Sequence, residues 1–304
     1  MLLMKEKFPS IGQREDSYEL KAIKAYLTYG SVDKVFRAFE YNFPISIAEV
    51  HRLIQKRGIV KAAGPNSKLS EAITFMTLLL NARKPVVEEF YKDLPHKFQS
   101  SLATMHRIVH NVKEGIIRRV GTALIITPYD NPDMILVADD NAPRLDFGKP
   151  YGNVSLPMGY SKQDELVTDS IKRVLQQEVF TNDTINMTFP SWVVSSRSSP
   201  FMYLDIADVR VAGYHIALPK SLSGIESFSS FKLNNFRYIP LTEILYNSDI
   251  KYSFRAGIRE IVEGYRNYSE EAADNPSYEP VTEISNINVN LRTLALEYVR
   301  HTQP

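Results

Sequence analysis

Over residues 1–120 the apolar positions recur three and four apart, and after Gly121 they gather into short runs. The first spacing belongs to helices with one buried stripe, the second to strands. Ala22, Ile23, Tyr26 and Leu27 form the first stripe; Gly30 stops it, and Ser31 is placed to cap the next helix, VDKVFRAF. Ser46 and Glu49 make a capping box at the head of IAEVHRLIQK, where hydroxyl and carboxylate satisfy each other's orphan backbone N–H groups. On that helix Ile47, Val50 and Ile54 point one way and Arg52, Gln55 and Lys56 the other, with His51 at the border. Lys56, Arg57 and Gly58 end it with cations where the helix dipole favours them.

This unit is repeated. Lys21–Lys61 and Glu71–Arg119 each have a helical Ala-Ile start, a polar break, a short second helix and a proline-bearing connection. Each then gives a helix with the same dipeptide, EVHRLI in one and TMHRIV in the other, and closes on Gly-Ile. Duplicated helical units of this size set the architecture of the segment that contains them. The pattern resembles the tandem helix-turn-helix modules of DNA-binding regulators and recombinases, over residues 14–62 and 66–120. That resemblance implies double-stranded DNA as partner, with each third helix in the major groove, Arg and Gln at base edges and Lys at phosphates. The residues it points to are His51, Arg52, Gln55, Lys56 and Arg57 in the first unit, and His106, Arg107, His110, Asn111 and Lys113 in the second. The plainer reading is a helical bundle whose solvated basic faces serve protein contacts.

Charge sharpens the choice. Residues 1–120 hold 20 Lys/Arg against 12 Asp/Glu, and residues 121–304 hold 16 against 23, so a net charge of +1 hides a basic and an acidic half. Such asymmetry points to a polyanion at one end. The length of 304 residues allows about two cores. The chain has no cysteine, which removes disulfides and thiolate metal sites. No run reaches the roughly 18–20 apolar residues of a membrane span, and the N-terminus lacks a secretory pattern, so a cytoplasmic, nucleoid-associated protein without membrane contact is expected.

In the second half GTALIITP, MILVAD, SWVVSS, FMYLDI, VAGYHIALP and FRYIPL read as strands, and residues 163–180 read as a helix. Gly159, Glu165, Arg173, Leu175 and Glu178 fall in the spacing G-x5-E-x7-R-x-L-x2-E, preceded by VSLPMG. This resembles the Nudix box. The resemblance covers residues 120–266 and implies an α/β/α sandwich, so the whole chain is expected as α then α/β (α+β). A tail (1–13) precedes the tandem helical domain (14–120). The Nudix-like domain (121–266) is followed by a linker and C-terminal helix (267–304), with Leu291, Leu294 and Tyr298 as its apolar stripe.

In working members of that family three glutamates on the box helix hold magnesium and assist the attacking water, because magnesium wants hard anionic oxygens. Here two of those positions are Val174 and Gln177, the closing glycine is Phe180, and Glu178 is the carboxylate that remains. The resemblance therefore implies a degenerate pseudoenzyme domain without a bound cofactor or metal, kept for ligand sensing or dimerisation. Arg173, Gln177 and Glu178 are its candidate ligand contacts for a nucleotide-type effector. Glu165 and Arg173 also have a structural reading, as the pair that ties loop to helix. The alternative is an atypical magnesium-dependent pyrophosphohydrolase of a nucleoside diphosphate derivative, with Glu178 and Glu165 catalytic and Glu226 as a replacement carboxylate. Transcriptional regulators with Nudix-derived sensors carry the DNA-binding part after the Nudix part; the reversed order here leaves the effector open. Trp192 is expected in the core, and Asp139, Asp140 and Asp146 on a solvated hairpin.

Overall fold

The computed structural model describes residues 17–61, 69–81, 87–92, 100–140, 153–246, 254–272 and 277–293. The N-terminal tail, Asp146, Leu294 and Tyr298 lie outside them.

Both repeats fold as three helices: α1 (Tyr18–Tyr29), α2 (Val32–Ala38) and α3 (Ile47–Lys56), then α4 (Leu69–Asn81), α5 (Val87–Lys92) and α6 (Leu102–Glu114). The punctuation read from sequence is in place. Gly30 closes α1 in the left-handed region at φ 69°, and the Ser31 and Ser46 hydroxyls accept from Lys34 N and Glu49 N. The duplication extends to the caps: Ser46 and Ser101 start α3 and α6 with the same backbone, φ −72° and ψ 157–158°. Ile47, expected on the buried stripe of α3, is exposed; Leu53 takes its place beside Val50 and Ile54.

The rest is a sandwich. Strands β1 (Arg119–Pro128), β2 (Met134–Asp140), β3 (Val154–Ser155) and β4 (Met158–Ser161) lead into α7 (Val167–Glu178) and α8 (Thr181–Asn186). Strands β5 (Met202–Ile206), β6 (Val209–Leu218) and β7 (Leu233–Pro240), helices α9 (Leu241–Tyr246) and α10 (Ile258–Glu271), and strand β8 (Val281–Ile284) follow, with a further helix from 286. A five-stranded sheet runs β4-β1-β6-β5-β8 and a three-stranded one β3-β2-β7. Side chains alternate across β1: Leu124 and Ile126 pack with α7, and Ala123 and Ile125 with the α10 layer. Gly264 lets α10 lie directly on β5, since a Cβ there would collide with the Met202 sulfur.

Four sequence expectations change. SWVVSS is a 3-10 turn over Ser191–Val193 rather than a strand, and Trp192 is 66% exposed rather than core. Segment 267–283, read as a linker, continues α10 to Glu271 and supplies β8, which pairs parallel with β5. Asp139 and Asp140 are not simply solvated: they bind Arg237 and Arg255.

The two helical units attach differently. The first keeps its own core, which reaches the sandwich through Ile185 of α8. The second shares one continuous core with the sheets and α10, from Phe75 and Met105 to Leu204 and Ile261.

Between β6 and α10, His215 Nε2 lies 2.9 Å from Thr127 Oγ1 and 3.3 Å from the Tyr265 hydroxyl. Burial lowers its pKa from 6.5 to about 4. The unfolded chain takes up this proton near pH 6.5 and the folded one only near 4. Its contribution is therefore whole above pH 6.5 and falls away as pH drops to 4, by about 3 kcal/mol. Urea unfolding between pH 7 and 4.5 is expected to show this loss, and His215→Gln to flatten it; equal slopes in both proteins would clear the histidine.

Candidate functional site

Helix α7 carries the box residues, and its apolar stripe Ile171, Leu175 and Val179 fixes how they face. Phe180, in place of glycine, is buried against Phe189 and Phe228, so the chain turns straight into α8. Arg173 and Glu165 form a buried ion pair. Glu165 also accepts from Lys162 N (3.2 Å), and Arg173 Nη2 donates to Ser161 Oγ (3.3 Å). Arg173 is 3% exposed, so it braces the loop beneath the site and is not placed to touch a ligand, as its candidate role required.

Val174 is buried and apolar. Glu178 Oε2 accepts from Met158 N at 2.8 Å. Burial pushes the Glu178 carboxyl above the ordinary carboxylate range, while the Lys232 ammonium and the Met158 N–H pull it back. Lys232, which the sequence reading did not single out, donates to Gln177 Oε1 at 2.7 Å, with its Nζ 3.9 Å from Glu178 Oε1. Ser230 positions this loop, since its hydroxyl donates to the Gln177 carbonyl and accepts from Lys232 N and Leu233 N.

These residues do not fit magnesium. Val174 offers no oxygen, Gln177 a neutral one already occupied by an ammonium, and Glu178 a single desolvated carboxyl. A dication held by Gln177 and Glu178 would have to share both with the Lys232 ammonium, which repels it. Among the described residues no group of three or more His, Asp or Glu gathers as a metal site. Glu226 supplies no substitute: it is exposed, and its carboxylate folds back over Gly224.

The neighbouring glutamine of the box helix has another task. Gln176 donates to Gly58 O (2.9 Å) and accepts from Val60 N (2.9 Å), and Arg57 bonds the Ile185 carbonyl. Arg57 thus helps dock the first helical unit on α8, with the residue half-buried. Asn111, read as a DNA contact, is corrected: it is buried, and its Nδ2 donates to Asp208 Oδ2 at 3.2 Å.

The remaining candidates face outward. Arg52, Gln55, Lys56, Arg107, His110 and Lys113 are exposed, and His51 is half-buried. Arg52 pairs with Glu49 at 2.7 Å, and His106 with Glu88 at 2.9 Å, both at the surface. A separate cavity of about 490 Å³ opens where α6 runs into β1, lined by Arg118, Arg119, Lys162, Arg210 and Tyr160. Two of its guanidinium groups are engaged, Arg119 with Asp208 and Arg210 with Asp205.

No family model matches the sequence, and neither does any curated protein. Among solved structures, the chain is similar to a MutT protein from Methanosarcina mazei Go1 at 12% identity, over 51% of this chain and 98% of that one, with a TM-score of 0.35. It is similar to a mutT/nudix family protein from Listeria innocua at 14%, over 52% and 99%, with a TM-score of 0.34. The NUDIX domain of Shewanella oneidensis NrtR, complexed with ADP ribose, matches at 11%, over 51% and 92%, with a TM-score of 0.33. The box keeps its register on β4 and α7 inside a helix-covered two-sheet sandwich, the Nudix-like fold that its spacing implies.

Proposed function

We propose that this chain is a sequence-specific DNA-binding regulator whose Nudix-like domain has given up hydrolysis and serves as a ligand-sensing or dimerising module. The observation that carries the reading is the matched pair of helices α3 and α6. Each starts on a serine cap of identical backbone, and each sets His-Arg five and six residues after the cap, with Arg52 and Arg107 exposed. Lys56 and Lys113 extend the exposed cation set at the C-terminal ends. A basic half supports the same reading, because phosphate contacts supply most of the affinity for duplex DNA.

Fluorescence anisotropy with a random 30-base-pair duplex tests it. Binding at 50 mM salt is expected to weaken by roughly two to three decades at 200 mM, the slope of about five phosphate contacts. Arg52→Ala with Arg107→Ala is expected to weaken it a further tenfold or more. A chain that leaves the duplex free at 50 mM salt ends the regulator reading. The competing hydrolase reading keeps Glu178 in its favour. It requires magnesium-dependent release of phosphate or nucleoside monophosphate, abolished in Glu178→Gln.

A further inference from the structure

We propose that Lys232 stands, as a resident ammonium, where metal-dependent diphosphate chemistry places a divalent cation, and that the box site takes a phosphate or diphosphate group with no metal. The inference deepens the ligand-module half of the proposed function and stands apart from its DNA half.

Two independent observations carry it. First, the ammonium is held by the two box positions whose family counterparts are carboxylates, Gln177 at 2.7 Å and Glu178 at 3.9 Å. The Gln177 amide is the group that makes this arrangement stable: its oxygen accepts from an ammonium without adding a second buried negative charge. The Lys232 side chain is still 30% exposed, so an anion can reach it from solvent.

Second, the surroundings hold hydrogen-bond donors with nothing to donate to. Gln177, 5% exposed, has Nε2 buried and unpartnered, and Arg255, 7% exposed, has Nε in the same condition. Buried donors left unpaired cost about 1–3 kcal/mol each, so they mark places where a ligand or ordered water completes the bonding. Arg255 is anchored beside β3, its backbone N–H donating to the Val154 carbonyl at 2.9 Å, and its charge is felt by the Glu178 carboxyl. The acids of the neighbouring strand do not repel an anion unaided: Asp140 is paired with Arg255, and Asp139 with Arg237 at 2.9 Å. An ammonium on a glutamine with an orphan N–H, with a second orphan donor on Arg255, recognises phosphate oxygens by charge-assisted hydrogen bonds. Glu178 then orients Met158 N–H and the lysine instead of binding metal.

The test uses the full chain in two arms, with duplex DNA absent from both so that the outcome does not depend on the DNA reading. In equilibrium dialysis the wild type is expected to retain no Mn²⁺. Val174→Glu/Gln177→Glu is expected to bind it weakly, and Val174→Glu/Gln177→Glu/Lys232→Met at least tenfold more tightly. Retention by the wild type, equal affinity of the two rebuilt variants, or no binding by either would each overturn the assignment. In calorimetry with EDTA present, inorganic pyrophosphate or ADP is expected to bind the wild type. Lys232→Met should lose at least tenfold, the worth of one charge-assisted hydrogen bond, and Lys232→Arg should keep most of the affinity. Pyrophosphate binding alone identifies a bare diphosphate as sufficient, and ADP alone identifies an esterified one. Binding of neither, or equal binding by Lys232→Met with its fold verified by circular dichroism, would sink the proposal.

Discussion

Asp208→Ala is expected to lower the unfolding free energy of the full chain by about 3–5 kcal/mol, the range for removing one partner of a buried ion pair. Asp208 sits 1% exposed in the turn from β5 to β6. Its carboxylate accepts from Arg119 Nε at 3.1 Å, from Arg119 Nη2 and from Asn111 Nδ2. Its carbonyl accepts from Arg118 N and Arg119 N at 3.0 and 3.1 Å. One residue therefore joins α6, β1 and the turn. The turn itself is held from the other side by Asn288, which accepts from Ala207 N (2.9 Å) and donates to Ala207 O (3.0 Å). Losing the carboxylate leaves a mostly buried guanidinium, which keeps the Tyr160 hydroxyl as a partner, and a buried amide without their shared acceptor. Asp33→Ala is the contrast. Its pair with Arg37 at 2.9 Å is exposed on both sides and is worth under about 1 kcal/mol. Urea unfolding of the two variants measures the difference; a loss at Asp208 no greater than at Asp33 would remove the joint.

That joint has a functional side. Because the second helical unit shares its core with the sheets, the exposed face of α6 is fixed relative to the box domain. The first unit is fixed by other means, through Gln176 on the box helix and Arg57 at α8. A ligand seated at Gln177 would bond the residue next to the one that grips the first unit. On the proposed function, coupling between ligand and DNA would need only a shift of α7 that both neighbours feel.

The caps and stripes were legible because they are local. Ser31, Ser46, Gly30 and the box register act over three to twenty residues, and each is where periodicity puts it. Asn111 was misread although its signal was present. It lies three residues beyond Ile108 and adjoins Val112, so it belongs on the shoulder of the buried stripe and not on the polar face. Arg57 and Gln176 were not legible, since their partners lie more than a hundred residues away in sequence. Lys232 was hidden because its partner lies 55 residues away and nothing in KLNNF marks a lysine that the loop before β7 returns to the box helix. Trp192 shows the limit of composition, because a large apolar ring in a 3-10 turn has no sheet to cover it.

The ion pair beneath the box gives the second large effect. Glu165→Ala is expected to cost about 3–5 kcal/mol, because Arg173 would keep its charge at 3% exposure with Ser161 Oγ as a remaining partner. Arg173→Met should cost a similar amount by stranding the carboxylate, which retains only Lys162 N. The double variant Glu165→Leu/Arg173→Met, apolar and of similar volume, is expected to recover most of that loss. Buried pairs of this kind roughly break even against well-packed hydrophobic residues. With Glu165→Leu as the matching single variant, the double-mutant cycle read by urea unfolding should give a coupling of about 5 kcal/mol or more, because each single change strands one buried charge and the double change strands none. The same variants separate bracing from recognition. If the pair only fixes the loop between β4 and α7, the refolded double variant binds pyrophosphate as the wild type does. A double variant that is stable yet no longer binds would return Arg173 to the ligand site, against its burial behind Glu165 and Ser161.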